Sequence, residues 1–177
     1  DSWADETGSI GKAYGYQLGV KHIYPEGEFD QVDRVLYDLK HNPQSRRIIT
    51  NIYNHQDLHE MGLYPCAYSM TFNVSGNTLN GILNQRSQDM ITANNWNVVQ
   101  YSVLMYMMAQ VSGLEVGEFV HVIADAHIYD RHIPIAREII ENPQYAAPKF
   151  ELNKEITDFY SFTTKDIKLE NYVFNDK

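Results

Sequence analysis

The chain has 177 residues, of which 44% are hydrophobic and 21% charged, a composition typical of one globular domain. Its formal net charge of −9 argues against a general nucleic-acid binder, because such proteins normally carry a basic surface. A single cysteine excludes an internal disulfide and favours a reducing, cytoplasmic compartment, and no apolar run has the length of a membrane span. The chain begins at Asp1 without methionine and ends at Lys177, so we expect it to be part of a longer protein.

The first half of the chain predicts one clear helix and several short elements. Residues 1–29 lack clean periodicity and indicate loops with short ordered pieces. Asp30 is placed to cap a helix whose apolar residues recur at helical spacing, and Asn42-Pro43 stops that helix. Ile48–Tyr53 is rich in β-branched residues and predicts a strand, whereas His55–Met61 predicts one or two helical turns.

The second half predicts a hairpin, two helices and further strands. Cys66–Val74 and Leu79–Asp89 are strand-like and flank the turn signal Ser75-Gly76-Asn77. The other predicted elements are a helix over Asn97–Ser112 closed by Gly113, a strand over Val116–Ala126, a helix over Ile133–Ile140, and edge strands at Lys149–Leu152 and Ile167–Tyr172. Since no repeat or linker interrupts it, residues 1–177 are predicted to form one α+β domain.

Cys66 is the first candidate for a chemical role. A lone cysteine is more often an inert small hydrophobe than a nucleophile. Here it follows Leu63-Tyr64-Pro65, where the proline ends a loop and directs the chain into a strand. A nucleophile at such a junction can project into a cleft, and a nearby arginine would stabilise its thiolate.

Three arginines are candidates for phosphate binding. Arg86 and Ser87 lie in the polar run Asn84–Asp89, which does not alternate as a half-buried strand would, and an arginine with a serine hydroxyl makes a good phosphate clamp. Arg46 and Arg47 are adjacent, so within a strand they would point to opposite faces. They could share a pocket only at a bend or a subunit boundary, and a pair of solvated charges is the alternative.

Two histidine-containing patterns are candidate sites. Asp125, His127 and Tyr129 alternate after an apolar stretch, so a strand would place them on one face, where His127 and Tyr129 could bind a sugar hydroxyl. A core histidine with a structural partner is the alternative. His55 and His59 have helical i,i+4 spacing, but their acidic neighbours suit a solvated face equally well, so no metal site is predicted.

A series of short motifs carries a resemblance to a known family. The motifs are Trp3-Ala4-Asp5-Glu6, Gly11…Tyr14-Gly15, Asp30-Gln31-Val32, Pro43-Gln44-Ser45-Arg46-Arg47-Ile48, Pro65-Cys66, Gln85-Arg86-Ser87…Asp89, Asn97, Leu114-Glu115-Val116-Gly117-Glu118-Phe119 and Asp125…His127…Tyr129. In this order they resemble the folate-dependent thymidylate synthases, and the resemblance covers essentially the whole chain. It implies a mixed β-sheet covered by helices.

The resemblance implies a reaction centred on Cys66. In the family this cysteine adds to C6 of dUMP, after which C5 attacks methylenetetrahydrofolate, the folate co-substrate. Tyr14 would assist removal of the C5 proton. Asp125 is predicted to be a third catalytic residue, after Cys66 and Tyr14. Trp3 and Asp89 would contact the folate.

The resemblance also implies how the phosphate is held. Arg86 and Ser87 would bind the 5′-phosphate, and Gln85 beside them counts among the substrate-binding residues. Arg46 and Arg47 would reach the same phosphate from the second subunit of a homodimer. That arrangement removes the difficulty that adjacent arginines point to opposite faces.

Asn97 would read the base, while His127 and Tyr129 would hold the 3′-hydroxyl of the deoxyribose. An asparagine amide can donate to uracil O4 and accept from N3–H at once, whereas a carboxylate would suit cytosine. Asn97 therefore favours dUMP over dCMP. A helix N-cap is the structural role that this asparagine could also have.

The chain departs from the family pattern at three places. Ala67 stands where a histidine usually follows the cysteine, Ala93–Trp96 replaces the usual approach to the asparagine, and Ile123-Ala124 replaces a Gly-Gly pair. Two alternatives stay open at this point. One is a dUMP or dCMP hydroxymethylase of the same fold, and the other is a catalytically inactive nucleotide-binding homologue.

Overall fold

A computed structural model describes residues 4–175 of the chain. The α-helices in this range are α1 (Tyr14–Gly19), α2 (Gln31–His41), α3 (Asn94–Ser112) and α4 (Ile133–Glu141). The strands are β1 (His22–Tyr24), β2 (Gly27–Phe29), β3 (Ile49–Asn51), β4 (Ala67–Ser75), β5 (Thr78–Gln85), β6 (Gln88–Asp89), β7 (Glu115–Ile123), β8 (Ala126–His127), β9 (Lys149–Leu152) and β10 (Ile167–Glu170). Short 3₁₀ helices occur at Leu58–Glu60, Asp130–His132, Phe159–Ser161 and Thr164–Asp166.

The central sheet has the strand order β3-β4-β5-β7. Its first three strands are antiparallel, whereas β5 and β7 run parallel. Helices α2 and α3 supply the side chains that pack against one face of this sheet in the main apolar cluster. The mixed sheet covered by helices is thereby confirmed. In the part of the chain described, no helix is long and apolar enough to cross a membrane.

Helix α2 forms as the sequence predicts. The Asp30 side chain accepts a hydrogen bond of 2.8 Å from the Asp33 N–H, so it satisfies one of the free donors at the helix start. The helix ends at His41, and Asn42 lies at its C-cap. One face is buried and consists of Val32, Val35, Leu36 and Leu39.

Helix α3 begins three residues earlier than predicted. It runs from Asn94, so Asn97 lies inside its first turn and the suggestion that Asn97 is an N-cap is wrong. Ala93 occupies the N-cap position without a side-chain hydrogen bond, and its N–H donates to the Asp89 carbonyl. A helix that starts from a preceding turn shows no capping side chain, which is why the sequence misplaces its start. Gly113 closes the helix in the left-handed conformation, as predicted.

Two predicted strands are each divided in the structure. The segment predicted as one strand over Leu79–Asp89 is β5 followed by β6, with a break at Arg86 and Ser87. The segment predicted over Val116–Ala126 is likewise β7 followed by the start of β8. The two breaks coincide because β5 and β7 are parallel neighbours and β6 pairs with β8. Polar side chains are therefore collected at one edge of the sheet.

Arg46 and Arg47 lie in a turn before β3 and not in the strand. Both side chains are exposed. The prediction of a strand over Ile48–Tyr53 is correct in position but too long, since β3 spans Ile49–Asn51. Because a turn orients consecutive side chains independently, the alternation argument does not apply to this pair.

Gly11 is the position in the fold least able to accept a side chain. It has a φ of 77° and pairs with Met61, and a Cβ added there would lie 1.8 Å from the Glu60 carbonyl oxygen. We expect Gly11→Ala to lower the free energy of unfolding by about 3 kcal/mol, since both backbone strain and a clash with backbone oppose it.

Gly8→Ala is the matched control for this prediction. Gly8 also has a positive φ, 83°, but a Cβ there would meet nothing within 4 Å. Gly8→Ala should therefore lower the free energy of unfolding by only about 1–2 kcal/mol, the cost of holding an alanine in the left-handed conformation. Chemical denaturation of both variants measures the difference, and equal losses would contradict the steric argument.

Candidate active site

A cavity of about 750 Å³ opens where the polar edge of the sheet meets the first turn of α3. Its volume is in the range of small-molecule sites. Eight of the residues that the sequence marks as site residues line it, namely Tyr14, Cys66, Arg86, Ser87, Asp89, Asn97, His127 and Tyr129. These residues lie between positions 14 and 129 in the sequence, so the fold is what brings them together.

Cys66 is half-buried at the entrance to β4. Its backbone N–H donates to the Tyr14 hydroxyl oxygen at 3.0 Å, and its carbonyl accepts from the Arg86 N–H at 2.9 Å. The β4–β5 register shifts between Ala67 and Ser69, directly after the cysteine. Irregularities of this kind change the direction in which neighbouring side chains project. The cysteine is thus held by its backbone while its side chain faces the cavity.

Arg86 supports the loop that leads into Cys66. Its Nε donates to the Pro65 carbonyl and its Nη2 to the Tyr64 carbonyl, both at 3.0 Å. A guanidinium carries five N–H groups, so these two bonds leave donors for a ligand in the cavity. Ser87 lines the cavity next to it.

The Tyr14 phenol is mostly buried beside Cys66, and burial raises its pKa above the usual value. The phenol is therefore neutral near pH 7. Asp89, by contrast, is anionic because hydrogen bonds, first from the Thr92 side chain and then from the backbone of Ile91 and Thr92, lower its pKa. These same bonds fix the orientation of the Asp89 carboxylate at the cavity wall.

His127 and Tyr129 form one aromatic corner of the cavity. Their rings lie 5.1 Å apart at 86°, and the Arg131 guanidinium lies 4.9 Å over the Tyr129 ring. The His127 Nδ1 atom is buried without a hydrogen-bond partner among the described residues. Asp125 Oδ1 lies 3.6 Å from it, which is too far for a hydrogen bond.

The three alternating residues do not share one strand face. Only His127 belongs to a strand, β8, whereas Asp125 lies in the short link between β7 and β8 and Tyr129 follows β8. The Asp125 side chain is 70% exposed and does not line the cavity. Its catalytic role stays a prediction without support from the cavity geometry.

A layer of buried amides lies behind Asn97. Gln85 and Gln88 are each 1% exposed, and the Gln85 Nε2 atom donates to the Ser87 carbonyl at 2.9 Å and to Asn97 Oδ1 at 3.4 Å. The same nitrogen also contacts Gln88 Oε1, so its two hydrogens are shared among three oxygens, of which Asn97 Oδ1 is the farthest. Gln85 is thus placed behind the cavity wall and not in it, so any contribution to substrate binding passes through its lining neighbours Ser87, Gln88 and Asn97.

Arg46 and Arg47 lie away from the cavity that contains Cys66. Arg47 lines a separate cavity of about 830 Å³ between α2, the β1–β2 hairpin and β3. The guanidinium of Arg34 in that cavity is paired with Glu26 and Asp38. Within one protomer, therefore, neither Arg46 nor Arg47 lines the cavity of the predicted nucleophile.

Several residues at the site were not identified from the sequence. Gln88, Trp96 and Arg131 line the cavity, and His121 contacts Gln85 from β7. Gln88 and Arg131 stand beside residues that were identified, so proximity in sequence was an available signal. The sequence carries no such signal for His121, because the residues on either side of it in β7 are apolar.

What the sequence predicts for Trp3 and for metal ions stays a prediction. Trp3, expected to contact folate, lies outside the described residues. The expected absence of a metal site also stays a prediction, although no three histidine, cysteine or acidic side chains converge as ligands anywhere in residues 4–175.

The fold and the cavity define an α+β protein with a cysteine held at a strand entrance, facing anchored cationic, amide and aromatic groups. A family model described as thymidylate synthase matches residues 1–177, so the chain belongs to the thymidylate synthase family. The resemblance inferred from the short motifs is confirmed.

Individual relatives agree with this assignment. The thymidylate synthases of Bacillus phage phi3T and Bacillus subtilis subsp. natto are each 47% identical over 178 aligned residues, which cover 100% of this chain and 64% of theirs. A solved structure titled thermostable thymidylate synthase A from Bacillus subtilis superposes with a TM-score of 0.93 at 45% identity, covering 99% of this chain and 63% of that one. The chain thus spans somewhat less than two thirds of the length of these relatives.

Proposed function

We propose that the protein to which this chain belongs converts dUMP to dTMP by reductive methylation with 5,10-methylenetetrahydrofolate. The observation that carries this proposal is the convergence of Cys66, Arg86, Ser87 and Asn97 on one cavity. A nucleophile, a phosphate clamp and a base-reading amide are the groups that covalent chemistry on a pyrimidine nucleotide needs.

The positions of the side chains support one mode of substrate binding. Arg86 and Ser87 hold the 5′-phosphate through charge-assisted and hydroxyl hydrogen bonds. Asn97 donates to uracil O4 and accepts from N3–H. The His127 imidazole and the Tyr129 hydroxyl, from two residues that line the cavity with their rings 5.1 Å apart, provide partners for the 3′-hydroxyl of the sugar.

The chemical steps centre on Cys66 and Tyr14. The Cys66 thiolate forms a bond to C6, and the electron pair displaced from the C5–C6 double bond moves toward O4, where the Asn97 N–H stabilises it. C5 is then nucleophilic and accepts the one-carbon group. The neutral Tyr14 hydroxyl, next to the Cys66 backbone, assists removal of the C5 proton. Cys66 departs as a thiolate when the C5–C6 double bond is restored.

The residues present fit a reduced folate at the same cavity. Asp89 is anionic, fixed in orientation and exposed to the cavity, so it suits the N–H groups of a pterin ring. The co-substrate supplies the one-carbon group and the two electrons that reduce it to a methyl group. The single cysteine, which excludes an internal disulfide, supports a cytoplasmic location for this chemistry.

The experiment that tests the proposal is incubation of the complete protein with dUMP and methylenetetrahydrofolate. We expect dTMP and dihydrofolate in equal amounts. Tetrahydrofolate with a hydroxymethylated product would contradict reductive methylation. Intact mass spectrometry after incubation with 5-fluoro-dUMP and methylenetetrahydrofolate should show a covalent adduct, and its absence would favour an inactive homologue.

We further propose that the active form is a homodimer in which Arg46 and Arg47 serve the partner's site. The face of the central sheet opposite the helices exposes Ile49, Val120 and Val122, which are 49%, 44% and 48% accessible. Apolar side chains on a sheet face need a cover, and a second copy of the chain provides one. Neither arginine lines the cavity of its own protomer.

Subunit mixing tests the donation of arginines. Neither Cys66→Ser nor Arg47→Glu homodimers should turn over dUMP, but a mixed dimer should recover activity. In the mixed dimer, one site combines an intact Cys66 with an intact Arg47 from the other subunit. If the arginines instead served their own subunit, no mixed dimer would regain activity.

Asn97→Asp tests the reading of the base. An aspartate can accept but not donate unless protonated, so it suits the amino group of cytosine better than uracil O4. We expect the preference for dUMP over dCMP, measured as the ratio of kcat/KM values, to fall by about 100-fold. An unchanged ratio would show that another group reads the base.

A further inference from the structure

The hydrogen-bond chain behind Asn97 bears on how this asparagine reads a base. An asparagine amide has two orientations that differ by exchange of its oxygen and nitrogen. In one, the oxygen accepts from uracil N3–H while the nitrogen donates to O4. In the other, the nitrogen faces N3 and the oxygen faces the 4-position, which suits the N3 acceptor and amino group of cytosine. The residue type alone therefore does not select uracil.

Gln85 selects between the two orientations of the Asn97 amide, because the Gln85 nitrogen faces Asn97 Oδ1 at 3.4 Å. A donor next to that oxygen stabilises the orientation that reads uracil. If Gln85 presented its own oxygen, the Asn97 nitrogen would turn toward it and the cytosine orientation would be favoured. The choice of base thus depends on which way the buried Gln85 amide points.

The orientation of Gln85 is determined by its other neighbours. The Ser87 carbonyl, 2.9 Å from Gln85 Nε2, is an acceptor only, and the Gln88 Oε1 atom contacts the same nitrogen, so nitrogen is required on that side. Gln85 Oε1 lies 2.9 Å from His121 Nε2, and an amide oxygen can only accept. His121 must therefore carry its proton on Nε2. Since Gln85 is 1% exposed, water does not replace a lost partner readily.

We propose that His121 is a positioning residue that, by donating from Nε2 to Gln85, sets the uracil-reading orientation of Asn97. This inference rests on the proposed function of the cavity and adds to it the origin of base selectivity. His121 lies on β7, 36 positions from Gln85, and it is not among the residues that line the cavity. The effect of His121 on base selectivity is therefore transmitted through the side-chain amides of Gln85 and Asn97.

A matched pair of substitutions tests the proposal. His121→Phe keeps an aromatic ring but removes the donor, whereas His121→Trp keeps a ring nitrogen that can only donate. We expect the ratio of dCMP to dUMP dissociation constants, measured calorimetrically on the complete protein, to fall about tenfold in the Phe variant. The Trp variant should stay within about threefold of the unsubstituted protein on the same physical grounds. A selectivity unchanged in the Phe variant would overturn the proposal, as would equal losses in both.

The tautomer of His121 gives a test without substitution. Long-range ¹⁵N–¹H correlation spectra of the unsubstituted protein should show the His121 proton on Nε2 at neutral pH, and a proton on Nδ1 alone would overturn the proposal. The unsubstituted protein also separates the two hypotheses. If it fails to bind dUMP, the proposed function fails, whereas dUMP selectivity that survives loss of the donor contradicts only the role of His121.

Discussion

Replacement of Cys66 by serine is expected to reduce turnover of dUMP by about 1000-fold or more, while dUMP binding changes by no more than a few-fold. Serine has nearly the same shape, and the backbone bonds from Cys66 to Tyr14 and Arg86 do not involve the side chain. The substitution therefore removes the nucleophile and leaves its setting intact. A hydroxyl is far less acidic than a thiol, so it is not ionised near pH 7.

The measurement combines steady-state kinetics, calorimetric titration with dUMP, and intact mass after incubation with 5-fluoro-dUMP and methylenetetrahydrofolate. The serine variant should bind dUMP but form no covalent adduct. Loss of binding together with a lower thermal midpoint would indicate a structural role for the cysteine. Retained turnover would exclude Cys66 as the nucleophile.

Replacement of Arg86 by leucine should weaken dUMP binding by about 100-fold or more, because a charge-assisted phosphate contact is lost. The kcat value should fall as well. Arg86 donates to the Tyr64 and Pro65 carbonyls, so its loss also loosens the approach to Cys66. Arg86→Lys should give an intermediate result, since an ammonium keeps the charge but cannot reproduce the planar set of donors.

Deoxyuridine and a second arginine provide the controls for this prediction. Deoxyuridine lacks the phosphate, so its weaker binding should change little in the leucine variant. Arg137 is exposed on α4 and does not line the cavity, so Arg137→Leu removes a charge elsewhere. An equal loss of affinity for dUMP and deoxyuridine would contradict a phosphate role for Arg86.

The elements that local sequence determines were predicted well. The Asp30 cap and the apolar periodicity of α2 act within a few residues. The helix can therefore be predicted without knowledge of the elements that it packs against. The same holds for Gly113 at the end of α3 and for the hairpin turn between β4 and β5. The start of α3 was misplaced because the preceding turn, held by Asp89, leaves no capping side chain at Ala93.

Boundaries set by strand pairing were not predicted. The predicted strands over Leu79–Asp89 and Val116–Ala126 are each divided in the structure, because β5 and β7 end together and the chain then forms the separate β6–β8 pair. A partner strand decides where a strand stops, and the partner is distant in sequence. The same reason explains Asp125, which alternation placed on one face with His127 but which lies exposed in the link between β7 and β8.

The sequence by itself identified Cys66, the Arg86–Ser87 pair and the aromatic corner at His127 as the chemically capable residues, because these groups stand in short motifs whose side-chain chemistry is specific, and the family resemblance added Asn97. Only the tertiary structure decided which of them share a cavity. It places Asp125 outside the lining, leaves Arg46 and Arg47 away from their own cavity, and puts His121 behind Gln85. The physical reason is that hydrogen bonding and burial depend on distances between residues far apart in the chain, and such distances have no local signature in the sequence.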